Sequence, residues 1–351
     1  MASSALRGVR VYRDGHFGDP EDLAINGSVI GNEAAGAPEA ESGGYLIPGL
    51  IDCHVHIEGL ETLRTLAHSG VTTALDMANR MSLLASLRGV RGVADLRAAG
   101  TAAESPTSAH AQLLKSGPID LITSPADADA WVAARIDEGA DYIKVVIDLP
   151  GFDQETVDAL VAAVHSRGRK VVAHAARLDA VTMAQNAGVD ILTHAPLDRP
   201  IDAQQAAVMA RAGTIIVPTL TMMKGLVDGL KRAGIPGPSY EPARTSVAAA
   251  HAAGMPILAG TDSNATPGAP SSPPFGESFH HELELLVDAG LSPAEALDAA
   301  TSLPADHFNL ADRGRIRPGL RADLVLLDSD PLADISATRG IRAVWVAGER
   351  I

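Results

Sequence analysis

The feature that most constrains this chain is a recurrence that begins near Gly49. Short apolar runs, 50–56, 71–77, 93–100, 141–148, 171–175, 190–194, 214–219 and 256–261, alternate with longer Ala-rich segments such as 153–167, 177–187, 202–212 and 241–253. Runs of that length read as buried strands, and the segments between them read as helices. Strand followed by helix, repeated about eight times, predicts a parallel sheet and fits a (β/α)8 barrel of the TIM type. The 92–118 stretch is the weakest, being Ala/Gly/Ser-rich with no clear period. Two further helices are expected over 276–290 and 292–302.

Both chain ends have a different texture. Val9-Arg10-Val11-Tyr12 alternates, Asp14-Gly15 and Asn26-Gly27 are hairpin turn pairs, and Leu23-Ala24-Ile25 and Ser28-Val29-Ile30 flank the second pair. The 31–44 stretch reads as a loop. Near the other end, Ala322-Asp323-Leu324-Val325-Leu326-Leu327 and Val344-Trp345-Val346 also read as strands. We expect residues 1–48 and 312–351 to pair into a small β-sandwich domain beside an α/β barrel spanning 49–311. The Pro/Ser-rich stretch 264–276 follows the eighth run and reads as a lid.

The barrel runs share an ending. Leu50-Ile51 leads into His54-Val55-His56, and alternation puts both imidazoles on one face. The same alternation aims Cys53 at the other face, as packing. The fifth and sixth runs end in His174 and His194, and the eighth ends in Gly260-Thr261-Asp262. The fourth places Lys144 among β-branched residues, on one face with Tyr142 and Asp148. An unpaired ammonium there would be costly. The lysine either escapes to solvent, pairs with Asp148, or is neutral and takes up carbon dioxide to give an anionic carbamate. Four histidines, a lysine and an aspartate at carboxyl ends of barrel strands lie where barrel enzymes carry their chemistry. Imidazole and carboxylate donors suit zinc and similar ions.

The totals exclude several classes. The 351 residues carry 28 basic and 43 acidic side chains, a formal net charge of -15, which argues against nucleic acid or anionic lipid as partner. Cys53 is the single cysteine, so no intrachain disulfide is possible. No long apolar segment spans a membrane and Met1-Ala-Ser-Ser-Ala-Leu-Arg7 lacks a signal-like core, so a soluble cytoplasmic protein is expected.

The stretch Pro48-Gly49-Leu50-Ile51-Asp52-Cys53-His54-Val55-His56, with Lys144, His174, His194, Gly260-Thr261-Asp262 and the Gly314–Val325 tail, resembles the metal-dependent amidohydrolase superfamily. Asp141-Tyr142-Ile143-Lys144 and His280-His281-Glu282-Leu283 resemble its imidazolonepropionase-like and Xaa-Pro dipeptidase-like branch. The resemblance implies two divalent ions, zinc by preference. His54, His56 and Asp262 would hold one, His174 and His194 the other, and N6-carboxylated Lys144 would bridge them. It also implies a homo-oligomer and a small-molecule substrate. Where relatives carry a Gly/His-rich loop, this chain has Glu104-Ser-Pro-Thr-Ser-Ala-His110, which leaves the substrate class open.

The activity so implied is hydrolysis of an amide, peptide-like or cyclic amide bond by metal-activated water, with Asp262 carrying the proton to the leaving group. One alternative is ring closure of an aryl amide or ester to a benzoxazole-type heterocycle at the same site. A second is a non-catalytic binding barrel. Around the centre, Tyr142 either stabilises the oxyanion, holds a substrate carboxylate or packs the barrel. His280 either orients Asp262, touches substrate or is inert. Met222, Met223 and Lys224, expected in a loop after the seventh strand, either line an apolar pocket with one cationic contact or are ordinary packing. Arg177 either meets an anion or lies in solvent. His68, His165, His251 and His307 read as structural.

Overall fold

The computed structural model describes residues 3–34, 36–113, 117–267, 269 and 271–351. Of the expected 31–44 and 92–118 stretches and the expected lid, Ala35, Leu114 to Ser116, Gly268 and Pro270 lie outside the described residues, as do Met1 and Ala2 of the N-terminal region.

Two parallel sheets carry the expected strands. Leu50–Val55, Val71–Asp76 and Asp95–Ala98 form one. Ile119–Leu121, Ala102–Glu104, Ile143–Val146, Val171–His174, Ile191–Thr193 and Ile215–Val217 form the other, in that order. The hydrogen bonding continues from one sheet to the other at both edges. Asp141 N donates to Ala98 O at 2.8 Å on one side. On the other, the 256–263 segment bridges Ile216 through Ile257 and Val55 through Ser263. The parallel strands therefore make a barrel. Its eighth run joins by isolated bridges rather than as a regular strand. Two departures from the expected pattern arise at backbone irregularities. The third run yields only Asp95–Ala98, and past Gly100, at φ +73°, a conformation that suits glycine, a second short strand, Ala102–Glu104, follows it. The segment 117–122 adds an unforeseen edge strand.

Helices cover the outside of the barrel. Gln154–His165 begins with Asp153 accepting from Thr156 N, and Ala203–Ala212 with Asp202 accepting from Gln205 N. Val157, Leu160, Val161 and Val164 of the first of these are buried, the spacing of one apolar helix face. The sequence reading gave no bounds for the helices Met81–Leu87, Ala109–Leu113, Ala128–Asp137 and Leu220–Arg232. The last replaces the expected loop around Met222 and Met223.

The two chain ends share one sheet. Ser3–Arg13 is its pivot: residues 3–9 pair with Glu21–Asn26, and Arg10 and Val11 pair with Tyr45–Pro48. Tyr45–Pro48 then pairs with Leu324–Leu327, which pairs with Ile341–Val346. Leu6, Val9, Ile25, Leu46, Leu324 and Trp345 form its own core. Asp323 anchors this sheet to the barrel: its backbone oxygen accepts Gly49 N at 2.8 Å. The buried Arg313 guanidinium adds a second link, donating to Asp95 Oδ2 at 2.6 Å and Thr73 Oγ1 at 3.0 Å.

A candidate metal centre at the strand ends

Beneath the mouth of the barrel lies a cavity of about 540 Å³. His54, His56, Lys144, His174, His194 and Asp262 all line it. His54, His56, His174, His194 and Asp262 stand at or just past the carboxyl ends of their strands or bridge and Lys144 within Ile143–Val146, so five separate stretches of sequence meet there.

The layer below explains their placement. Tyr142, Val172 and Ile191, two residues before Lys144, His174 and Thr193, pack with Ile51, Cys53, Ile215, Val217 and Leu258. Cys53 belongs to this layer rather than to the opposite face. A register irregularity between Asp52 and Val55 breaks the alternation at that point. The cysteine is still packing, as its full burial requires. Asp52 uses the irregularity: its carboxylate accepts from His54 N and Thr261 N, both at 3.1 Å, and from Thr261 Oγ1 at 2.7 Å. Asp262 then adopts φ +57°, a sparsely populated conformation that aspartate tolerates better than most.

The donor atoms converge in two groups. Asp262 Oδ1 lies 3.4 Å from His54 Nε2 and 3.1 Å from His56 Nε2. His174 Nδ1 lies 3.0 Å from His194 Nε2. Two ligands bound at about 2.1 Å to a tetrahedral ion stand about 3.4 Å apart. Both groups match that spacing, and His54, His194 and Asp262 offer ligand atoms all within 4.8 Å of one another. Lys144 Nζ donates to Thr193 Oγ1 at 2.8 Å, and that is its one hydrogen bond among the described residues. His194 Nδ1 is 2.6 Å from Thr219 Oγ1, which fixes the ring plane.

Burial sets the charge states. It holds the His54 and His174 imidazoles well below their ordinary range, and the cationic neighbours add to this. His194 is pulled down to about 3, chiefly by burial. Neutral imidazole is the metal-binding form. Burial also drags Lys144 from 10.5 to about 7 against the attraction of Asp262. Asp262 is buried too, which disfavours its charge, yet the His56 hydrogen bond and nearby cationic groups keep it below the usual carboxylate range.

The remaining candidates are distributed unevenly. Met222 and Met223 line the cavity from the first turn of Leu220–Arg232. Lys224 faces elsewhere, into a separate surface cavity, and pairs with Asp228 at 2.6 Å. Arg177 is exposed and is not part of the cavity wall. Tyr142 is corrected: its hydroxyl is buried and donates to Asp76 O at 2.8 Å, one layer below the cavity. His280 is corrected as well. Helix Glu277–Asp288 turns it away from the cavity, against Thr338 Oγ1 at 3.1 Å. Its neighbour Glu282 matters more. The buried Glu282 carboxylate accepts Leu220 N at 2.9 Å and Thr221 N at 2.7 Å, and so starts the helix that carries both methionines. Of the histidines read as structural, His165 pairs with Asp190 and His251 with Glu295, each at 2.9 Å.

Among the polar cavity residues that escaped the sequence reading are His110, Asp148 as a wall residue, and Asn79. His110 was visible only as the end of an unusual loop, and no period points to the other two.

A barrel of parallel strands with paired imidazole, lysine and carboxylate groups at its carboxyl rim defines a metal-binding hydrolase class. The comparisons agree. The sequence model of the Amidohydrolase family matches residues 45–351, and this chain belongs to that family. An uncharacterized protein of Mycobacterium tuberculosis is 27% identical over 362 residues, covering 93% of this chain and 91% of its own length. The imidazolonepropionase of Deinococcus deserti is 30% identical over 231 residues, covering 64% of this chain and 52% of its own. Among solved structures, a putative prolidase from Bifidobacterium longum superposes with a TM-score of 0.86 at 24% identity, covering 100% of this chain and 94% of that one. A Xaa-Pro dipeptidase with bound methionine gives 0.83 at 20% identity, with both chains fully covered. These structural likenesses establish the fold, a barrel with a second domain. The chain is a hydrolase acting on carbon–nitrogen bonds, and among its described residues no helix is long and apolar enough to cross a membrane.

Proposed function

We propose that the protein hydrolyses an amide, peptide-like or cyclic amide bond of a small molecule at a dinuclear centre. The observation that carries this reading is the pair of donor clusters around Asp262 and His174, spaced as ligands that share an ion. The residues fit the group. His54, His56 and Asp262 would hold one divalent ion, and His174 and His194 the other. Lys144, carboxylated on Nζ, would bridge them, since its amine has no carboxylate partner within hydrogen-bonding distance among the described residues. Zinc suits this nitrogen-rich set. We read the scaffold as a (β/α)8 barrel over 49–311 with a composite β domain from 1–48 and 312–351.

Ions held there would polarise the substrate carbonyl and acidify a bound water to near neutrality. The chain does the rest. Asp262, with its second oxygen 3.7 Å from His194 Nδ1, takes the water proton and delivers it to the leaving nitrogen. Asp52 and Thr261 hold Asp262 in place for both transfers. Met222, Met223, Ile57 and Val146 give the cavity apolar walls that seat the substrate and limit bulk water.

The test is a screen of small amides with zinc-loaded protein, read by product mass. Gain of one water on a carbon–nitrogen bond supports the reading. Loss of one water would assign heterocycle closure instead. Protein that binds no ion and turns over nothing with added metal would be a binding barrel.

A further inference from the structure

Beyond the ligands, the cavity wall is largely apolar and its charges have one sign. Ile57, Leu83 and Val146 line it together with Met222, Met223 and Leu226 of one helix. Its volume of about 540 Å³ suits a small organic molecule. The carboxylates in the wall outside the proposed metal set are those of Glu58 and Asp148. Glu58 is exposed, and its carboxylate has no partner among the described residues. Asp148 accepts from backbone N–H groups and from no cation: Leu149 N at 2.8 Å on Oδ1 and His110 N at 3.3 Å on Oδ2. Both residues stand past the ends of the strands Leu50–Val55 and Ile143–Val146 that carry His54 and Lys144.

Positive charge is scarce in the same wall. Among the described residues Lys144 is its one lysine or arginine, and the hydrolase reading uses that amine as the bridge. His110 is matched by the Glu104 carboxylate at 2.9 Å. Lys224 and Arg177, the basic groups expected to meet a substrate, both lie outside the wall. The charge of bound ions acts at the ligand end, where the scissile carbonyl would lie. A carboxylate elsewhere on the substrate would exchange water for apolar surface and two like charges, with no cation among the described residues to offset either cost. An uncharged group gains from the same surface.

We propose that the cavity selects uncharged amides carrying an aryl or branched alkyl group and rejects those with a free carboxylate, with Glu58 and Asp148 as specificity-determining residues. This rests on the hydrolase reading and narrows its substrate class. Neutral anilides and alkylamides are favoured, and peptides with a free C-terminus are disfavoured.

The test is calorimetric binding of two ketones to zinc-loaded protein. One is para-nitrophenylacetone and the other para-carboxyphenylacetone. Both keep a carbonyl for the ions, neither can be hydrolysed, and their far ends match in shape but differ in charge. Wild type should bind the nitro compound at least about tenfold more tightly. The ratio should fall in Glu58→Gln and in Asp148→Asn, and also with added salt, which screens charge. Glu58→Gln changes an exposed position, so the comparison survives if Asp148→Asn fails to fold. Equal affinities, or tighter binding of the carboxylate, overturn the selection. A ratio that neither variant moves overturns the roles of Glu58 and Asp148, and no binding of either ketone overturns the apolar preference. Neither ligand reports turnover, so a failed amide screen would sink the hydrolase reading separately.

Discussion

Asp52 ties the first barrel strand to the segment that carries Asp262: its carboxylate accepts the Thr261 hydroxyl at 2.7 Å and the N–H groups of Thr261 and His54 at 3.1 Å each. Two ligand-bearing segments, 209 residues apart at this contact, are thereby held as one unit. Asp52→Ala leaves three buried donors without an acceptor. We expect a loss of about 2–4 kcal/mol of stability and weaker metal binding by about 10- to 100-fold, since such supporting contacts orient ligands. Denaturant unfolding and a competitive chelator titration check the two effects. Unchanged metal affinity would show that His54 and Asp262 keep their places without the tie.

Asp262 is both ligand and proton carrier in the proposed reaction. Asp262→Asn keeps the shape and one oxygen donor but not the basicity. It should retain much of its metal by elemental analysis, while kcat falls by about 100- to 10,000-fold. Near-normal turnover would remove Asp262 from the proton path.

Lys144 is expected to act through a carboxylate built on its amine. Lys144→Ala should lose activity and one or both ions. A short carboxylic acid such as propionate, small enough for the vacated space, should restore part of both. Full activity of Lys144→Ala without added acid would rule out the bridge. The wild-type protein should gain activity when metal is added together with bicarbonate rather than alone.

Glu282 gives a pH signature distant from the ligands themselves. Burial raises its carboxyl from 4.5 to about 7, against the pull of the Thr221 and Leu220 N–H groups. An acid whose folded pKa is raised binds its proton more tightly when folded. Its contribution is therefore most favourable below pH 4.5 and is lost as pH rises towards 7. The change is on the order of 3 kcal/mol. Urea melts of wild type and Glu282→Gln across pH 4.5–7 should show that slope flattened in the variant. Identical slopes would mean that Glu282 folds in its ordinary charge state.

The barrel strands, and the six side chains that line one cavity, were legible because most of them are local statements. An apolar run of five or six residues that ends in histidine or aspartate reads the same in isolation as in the fold. The helix around Val132 was harder to see, since its apolar positions are interleaved with small and charged residues and gain meaning only against a sheet. The methionine pair was legible as apolar but not as helical, because Gly225 and Gly229 interrupt the helix signal around it. Tyr142 and His280 failed for a common reason. Sequence gives the face a side chain shares, but not the depth at which it lies or the neighbour that meets it.

The sequence by itself determined the repeating β/α order, the chemistry of the side chains at the strand ends and the strand character of both chain ends, because these follow from spacing and residue type. Only the tertiary structure decided which polar groups meet. It brought Asp52 to Thr261, Glu282 to the start of the Met222 helix, and Glu104 to His110 across a pinned loop. The first two contacts join residues far apart in the chain, and the third forms in a turn without periodicity. Such hydrogen bonds depend on distances and directions that exist only once the barrel has closed.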